Sequence, residues 1–200
     1  MIRSSFIVIV ILGVAACASK SGEDHYYSLV LAADNMAVPA KSHGVGARLI
    51  IGPVLLPAYL NNRGLAIQLG SNQIKIANRH FWAEPLDEAI SKVLARDISR
   101  RNDSLAVDRD AGRWTDPCNC HLRVEFDKFH ATNGSSVVTS VRYWVSSTST
   151  IAKHEFNVTG SLTADGYAHA VEALRGTLDV LATQITDTIN SDSLCTIPGD

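Results

Sequence analysis

The sequence predicts a single α+β domain, a mostly antiparallel sheet with two main helices packed on one face. Three observations lead there. Residues 119–130 alternate, with Cys120, Leu122, Val124 and Phe126 facing one way and His121, Arg123, Glu125 and Asp127 the other; that is the period of a half-buried strand. Two further stretches, 137–147 and 154–162, continue the pattern across short polar bends. Two segments, about 85–100 and 166–190, carry apolar residues at helical spacing along a single stripe, as helices lying on a sheet do.

In chain order, Tyr26-Tyr27-Ser28-Leu29-Val30 reads as the first strand, and residues 33–46, with Pro39, Gly44 and Gly46, as a loop. Residues 48–54 are rich in β-formers, and Pro53 and Pro57 imply that this strand leaves the sheet or lies at its edge. Asn61-Asn62-Arg63-Gly64 is a turn signal. Residues 66–69 and 73–77, joined by Gly70-Ser71-Asn72, read as a hairpin. In the first helix Leu86, Ile90, Val93, Leu94 and Ile98 share a face, and Arg96, Arg100 and Arg101 gather near its C-terminal end, where cations suit the dipole. A short strand at 105–107 and a polar loop at 108–117 follow. Asn133-Gly134-Ser135 and a bend near Ser149 join the three long strands, all read as antiparallel. In the last helix Tyr167, Val171, Leu174, Leu178, Leu181, Ile185 and Ile189 form the stripe, opposite His169, Glu172, Arg175 and Asp179. The domain thus spans 26–190, with a loose tail at 191–200 apart from Cys195.

The N-terminus sets the compartment. Arg3 is followed by an unbroken apolar run, Phe6 to Leu12, and then by small residues up to Cys17. This is the layout of an export signal and is too short for a spanning helix. Val14-Ala15-Ala16-Cys17 resembles the lipobox of bacterial lipoproteins, which implies cleavage after residue 16 and acylation of Cys17. Several acyl chains anchor stably where one does not. Ala18, where an inner-membrane retention signal of enteric bacteria has Asp, implies the outer membrane. Residues 17–25 are then the acylated cysteine and a polar tether; residues 18–25 reach roughly 25 Å when fully extended. Of 18 basic and 20 acidic side chains only Arg3 lies in the leader, so the mature chain carries 17 against 20. With no basic patch, nucleic acid is not an expected partner.

Three cysteines remain, and an exported chain favours a disulfide. Cys118 and Cys120 are too close to bridge each other without strain, so one of them is expected to pair with Cys195. A metal site at Cys118, Cys120 and His121 is not expected, since the spacing is wrong and no second ligand pair is present.

Catalytic motifs are absent: there is no G-x-S-x-G, S-x-x-K, H-E-x-x-H, phosphate-binding loop or dinucleotide fingerprint. No cofactor is expected. "HFWAEPLDEAI" (80–90) brings His80, Trp82, Glu84, Asp87 and Glu88 together, yet a helix start explains it. Pro85 suits the first helical position, the acids suit the positive end of the dipole, and Trp82 packs back on the first turn. Any role beyond folding is expected at a protein contact through Trp82, not in acid–base chemistry.

The order of motifs resembles the PqiC (also YmbA) family, auxiliary lipoproteins of bacterial intermembrane lipid-transport systems. The resemblance is carried by Cys17, "YYSL" (26–29), "GPVLLPAYL" (52–60), "NQIKIANRHFWAEPLDEAI" (72–90), "VEFDKF" (124–129) and "DGYAHAVEAL" (165–174). It departs from the family pattern in Cys118-x-Cys120 and in the tail with Cys195. The resemblance implies no catalytic residue. It implies a lipid-anchored periplasmic subunit that docks or caps the outer-membrane end of a tube built by an MCE-domain protein, as a ring of copies, with ABC transport supplying energy in some systems. Tyr59, in the Pro57-x-Tyr59-Leu60 motif, and Trp82 are the candidate partner contacts. Two other readings compete: a carrier holding lipid in its own apolar cavity, and a membrane-displayed hydrolase using His80 or Glu84.

Overall fold

The turn signals mark the antiparallel neighbours, and the long connections make the rest. In the computed structural model, which describes residues 22–30, 47–109, 119–147, 150–191 and 194–195, eight strands and two α-helices follow one another. They are β1 (His25–Tyr27), β2 (Ala47–Leu55), β3 (Gly64–Gly70), β4 (Gln73–Trp82), α1 (Leu86–Arg101), β5 (Leu105–Arg109), β6 (Asn119–Thr132), β7 (Ser136–Ser146), β8 (Ile151–Ser161) and α2 (Tyr167–Ser191). A short 3-10 turn, Ala58–Leu60, lies between β2 and β3.

The sheet has the expected α+β make-up and is mixed rather than purely antiparallel: the long antiparallel ladders β6–β7 and β7–β8 are accompanied by parallel ones. Only β3–β4, β6–β7 and β7–β8 are antiparallel, and each is joined by a short turn. The pairs β1–β4, β2–β5, β2–β6 and β3–β6 are parallel. Parallel neighbours need crossover connections, and these leave no local signature in the sequence. β6 is the hub. One edge pairs β7 along nearly its full length, while the other pairs β2 over Asn119 to Glu125 and β3 at Ala131 and Thr132.

Pro53 neither ends β2 nor marks a sheet edge. It sits where the β2–β6 register shifts between Ile51 and Val54, just past the last β2–β5 pair. A bulge tolerates the missing N–H. β3 begins at the last residue of the expected turn, Gly64, where a Cβ would lie 2.5 Å from the Ala77 carbonyl oxygen.

Both helices lie on one face of the sheet. They run side by side in the same direction, with Asp97 of α1 at Arg175 of α2 and Arg101 at Asp179. α2 is keyed to β7 by buried hydroxyls: Thr139 to Thr177 at 2.7 Å, and Tyr143 to Thr188 at 3.0 Å. One continuous cluster of Leu, Ile, Val and Phe side chains fills the space between, so the sheet carries an apolar inner face and a charged outer one. The β6–β7 turn, the β3–β4 tip and the start of α2 share one end of the domain. The β7–β8 turn and the end of α2 share the other.

Candidate functional site

β4 runs straight into the first turn of α1, and this junction is stitched on both sides. The Trp82 N–H donates to the Arg63 carbonyl at 2.7 Å and the Ala83 N–H to the Tyr27 carbonyl at 2.8 Å. Pro85 is the residue before the helix, not its first residue, and its carbonyl accepts from Ala89. Trp82 itself is only 6% exposed, its ring stacked on Phe129 with centroids 6.5 Å apart. The expected partner-facing indole is thus a core side chain. Tyr26, which lines the same cleft, is 56% exposed.

Beside the junction lies a surface cleft of about 420 Å³, lined by Tyr26, Leu60, Arg63, Trp82, Glu84 and Leu86 among others. The Arg63 guanidinium sits over the rings of Tyr26 (5.8 Å) and Phe81 (5.0 Å) and donates to the Tyr26 hydroxyl at 3.3 Å. Glu84 is ion-paired with Lys92. A cation held on two rings above a half-apolar cleft can grip a side chain or a chain end; it offers no nucleophile. Sequence reading missed Arg63, because a turn residue acquires this role only once β1 is placed next to β4.

Behind the cleft His80 is sandwiched. Its ring lies 3.6 Å from that of Tyr167 and 5.0 Å from that of His25, both nearly parallel to it. Its Nδ1 is 2.8 Å from the Tyr27 hydroxyl. Burial, and then the neighbouring His25, push the His80 imidazole down; burial, and then Tyr167, push the Tyr27 phenol up. Both shifts favour the neutral pair, a stack that ties β1 to β4 and to the start of α2.

Tyr59 stands on the outer face of the sheet. Its hydroxyl donates to the Asp127 carbonyl at 3.2 Å, and its ring meets His130 edge-on at 5.9 Å. It is half-buried, and burial raises its phenol. Further along that face Arg142 bridges Glu125 and Asp127, each at 3.0 Å. Trp144 lies between the cations of Arg123 (5.3 Å) and Lys153 (5.8 Å). The alternation in β6 and β7 announced a polar face; it gave no sign that Trp144 would be flanked by cations across three strands.

Cys120 is bonded to Cys195, Cα to Cα 5.5 Å, closing a separation of 75 residues. That resolves which cysteine meets the tail. Cys17 and Cys118 lie outside the described residues. Among the described residues no group of three or more His, Cys, Asp or Glu could hold a metal, and no helix is long and apolar enough to cross a membrane. The clefts at the junction, at Ile67–Tyr167 and at Ala47–Cys195, of about 420, 240 and 230 Å³, open at the surface.

Residues 27–186 match the model of a family described as the ABC-type transport auxiliary lipoprotein component. The chain belongs to that family. It is 26% identical over 184 residues to the intermembrane transport lipoprotein PqiC of Escherichia coli (strain K12), covering 92% of this chain and 95% of that one. The Shigella flexneri protein of the same name matches equally. A crystal structure of an uncharacterized protein has a TM-score of 0.72 at 24% identity, over 84% of this chain and 99% of that chain. One from Xanthomonas campestris, of the DUF330 family, reaches 0.60 at 14%, over 74% and 88%. At such identities the two crystal structures establish the fold alone. The family match corroborates the expectation drawn from "YYSL", "GPVLLPAYL" and the junction motif.

Proposed function

We propose that this protein is a lipid-anchored periplasmic subunit of an intermembrane lipid-transport system, held in the outer membrane through Cys17. It meets an MCE-domain partner at the outer-membrane end of the transport path, as one copy in a ring. The observation that carries this is the end-to-end match to an intermembrane transport lipoprotein, 92% of one chain against 95% of the other. The lipobox and the short tether support it independently. The docking surface is taken to be the junction cleft with Tyr26 and Arg63, flanked on the outer face by Tyr59. Hydrolysis finds no support at His80 or Glu84: the His80 Nδ1 is paired with the Tyr27 hydroxyl and a Glu84 carboxylate oxygen with Lys92.

The family description also fits a second reading, an auxiliary lipoprotein that serves an ABC transporter, which in that reading would itself bind lipid. The packed interior weighs against a deep lipid cavity; lipid co-purifying with the delipidated-anchor variant Cys17→Ser would support it. Fractionation tests the anchor. Wild-type protein should sediment with outer membrane and Cys17→Ser should appear in the soluble periplasm; a variant still bound to membrane would refute the lipid anchor.

A further inference from the structure

β1 fixes the direction in which the tether leaves the domain. It pairs in parallel with β4, His25 against His80 and Tyr27 against Trp82. Residues before His25 therefore run back along β4 toward its start at Gln73. Gly22 follows that path and lies against the Arg79 guanidinium. By that register Gly22 is level with Ala77, four residues or about 13 Å from Gln73. The five steps from Gly22 back to Cys17 span at most about 17 Å. Even fully extended, the tether brings Cys17 about level with the β3–β4 tip and little further.

That tip combines exposed apolar side chains with an absence of charge. Leu69 and Ile74 are each 37% exposed at its two flanks. From Gly64 to Ile74 there is no charged side chain, and Lys75 follows, exposed. The tip outreaches β6, whose Thr132 pairs with Gln68 two residues short of Gly70. Apolar side chains on an uncharged tip enter the headgroup boundary without desolvating a charge, and a flanking lysine suits anionic headgroups.

We propose that the β3–β4 hairpin tip, through Leu69 and Ile74 with Lys75 at the rim, rests in the phospholipid surface that holds Cys17. The domain then stands with this end on the bilayer and with the Cys120–Cys195 end facing away from it. Two apolar residues alone bind weakly; the anchor supplies affinity and the tip sets orientation. The inference rests on the lipid anchorage at Cys17 proposed above.

The test uses the full acylated protein in vesicles of phosphatidylethanolamine and phosphatidylglycerol carrying brominated acyl chains. Leu69→Trp and Ile74→Trp are each compared with the unsubstituted protein, and Ile151→Trp and Val180→Trp serve as exposed positions away from the tip. Blue-shifted emission and a loss of the added fluorescence on bromination are expected for positions 69 and 74 and not for 151 or 180. Unsubstituted protein that floats with the vesicles while positions 69 and 74 stay unquenched would overturn the tip contact and leave the anchor standing. Unsubstituted protein that does not float would overturn both.

Discussion

A guanidinium nitrogen of Arg175 on α2 lies 2.8 Å from a carboxylate oxygen of Asp97 on α1, with the two side chains only 12% and 3% exposed. Arg96 reaches the same carboxylate at 3.1 Å. Against an apolar replacement such a cluster has little net worth, but removing one member strands the others. Asp97→Ala should therefore cost about 3–5 kcal/mol, read from the midpoint of urea unfolding. A loss below about 1 kcal/mol, the scale of an exposed pair, would show that the cations find water when the carboxylate is gone.

The Cys120–Cys195 bond closes a 75-residue separation and holds Leu194 in the core. A loop of that size restricts the unfolded chain by about 4.5 kcal/mol in the chain-entropy view. Cys195→Ser and reduced wild type should both lose about 2–5 kcal/mol, and by the same amount. A normal midpoint in the presence of reductant would mean that the tail is held by packing alone.

Trp82 is a core residue on the edge of a cleft. Truncation to alanine should cost about 3–5 kcal/mol, with Trp82→Phe milder because the stacking on Phe129 survives. Arg63→Ala, at an exposed turn, should change stability by under about 1 kcal/mol and weaken capture of the MCE-domain partner proposed above. The opposite pattern, a stable Trp82→Ala and an unfolded Arg63→Ala, would reverse the roles assigned here.

His130 is 3% exposed. Burial pushes its imidazole down; the Ala131 carbonyl opposes this and Lys128 adds to it. As pH falls through the ordinary histidine value of about 6.5, the unfolded chain takes up the proton before the folded one does. Stability is thus fully present above that value and is lost as pH falls toward the depressed one. His80 contributes with the same sign. His130→Gln should flatten, without abolishing, the fall in stability between pH 7 and 5; an unchanged slope would place the titration elsewhere.

Features with a local signal were legible in the sequence. The stripes Leu86–Ile98 and Tyr167–Ile189 gave both helices nearly to the residue, and Gly70-Ser71-Asn72 and Asn133-Gly134-Ser135 gave two hairpins. The strand pairings that build the site were not legible. β1 beside β4 and β3 beside the end of β6 depend on connections tens of residues long, and without them Arg63, Tyr26 and Phe81 do not meet. Trp82 misled for a related reason. An indole before a helix looks the same whether it staples the first turn at the surface or, as here, reaches across to Phe129. The choice between Cys118 and Cys120 was not legible, because residues two apart share one face of a strand; Cys120, beside Leu49 in the sheet, is the one bonded to Cys195.

Partner capture bears most directly on the transport role. Affinity isolation of the acylated protein from detergent-solubilised membranes, after brief crosslinking in cells, should enrich an MCE-domain protein. That enrichment should fall several-fold with Arg63→Ala and Tyr26→Ala and disappear with Cys17→Ser. Wild-type protein that sits in the outer membrane at normal levels and crosslinks to no MCE-domain protein would contradict the role proposed for it.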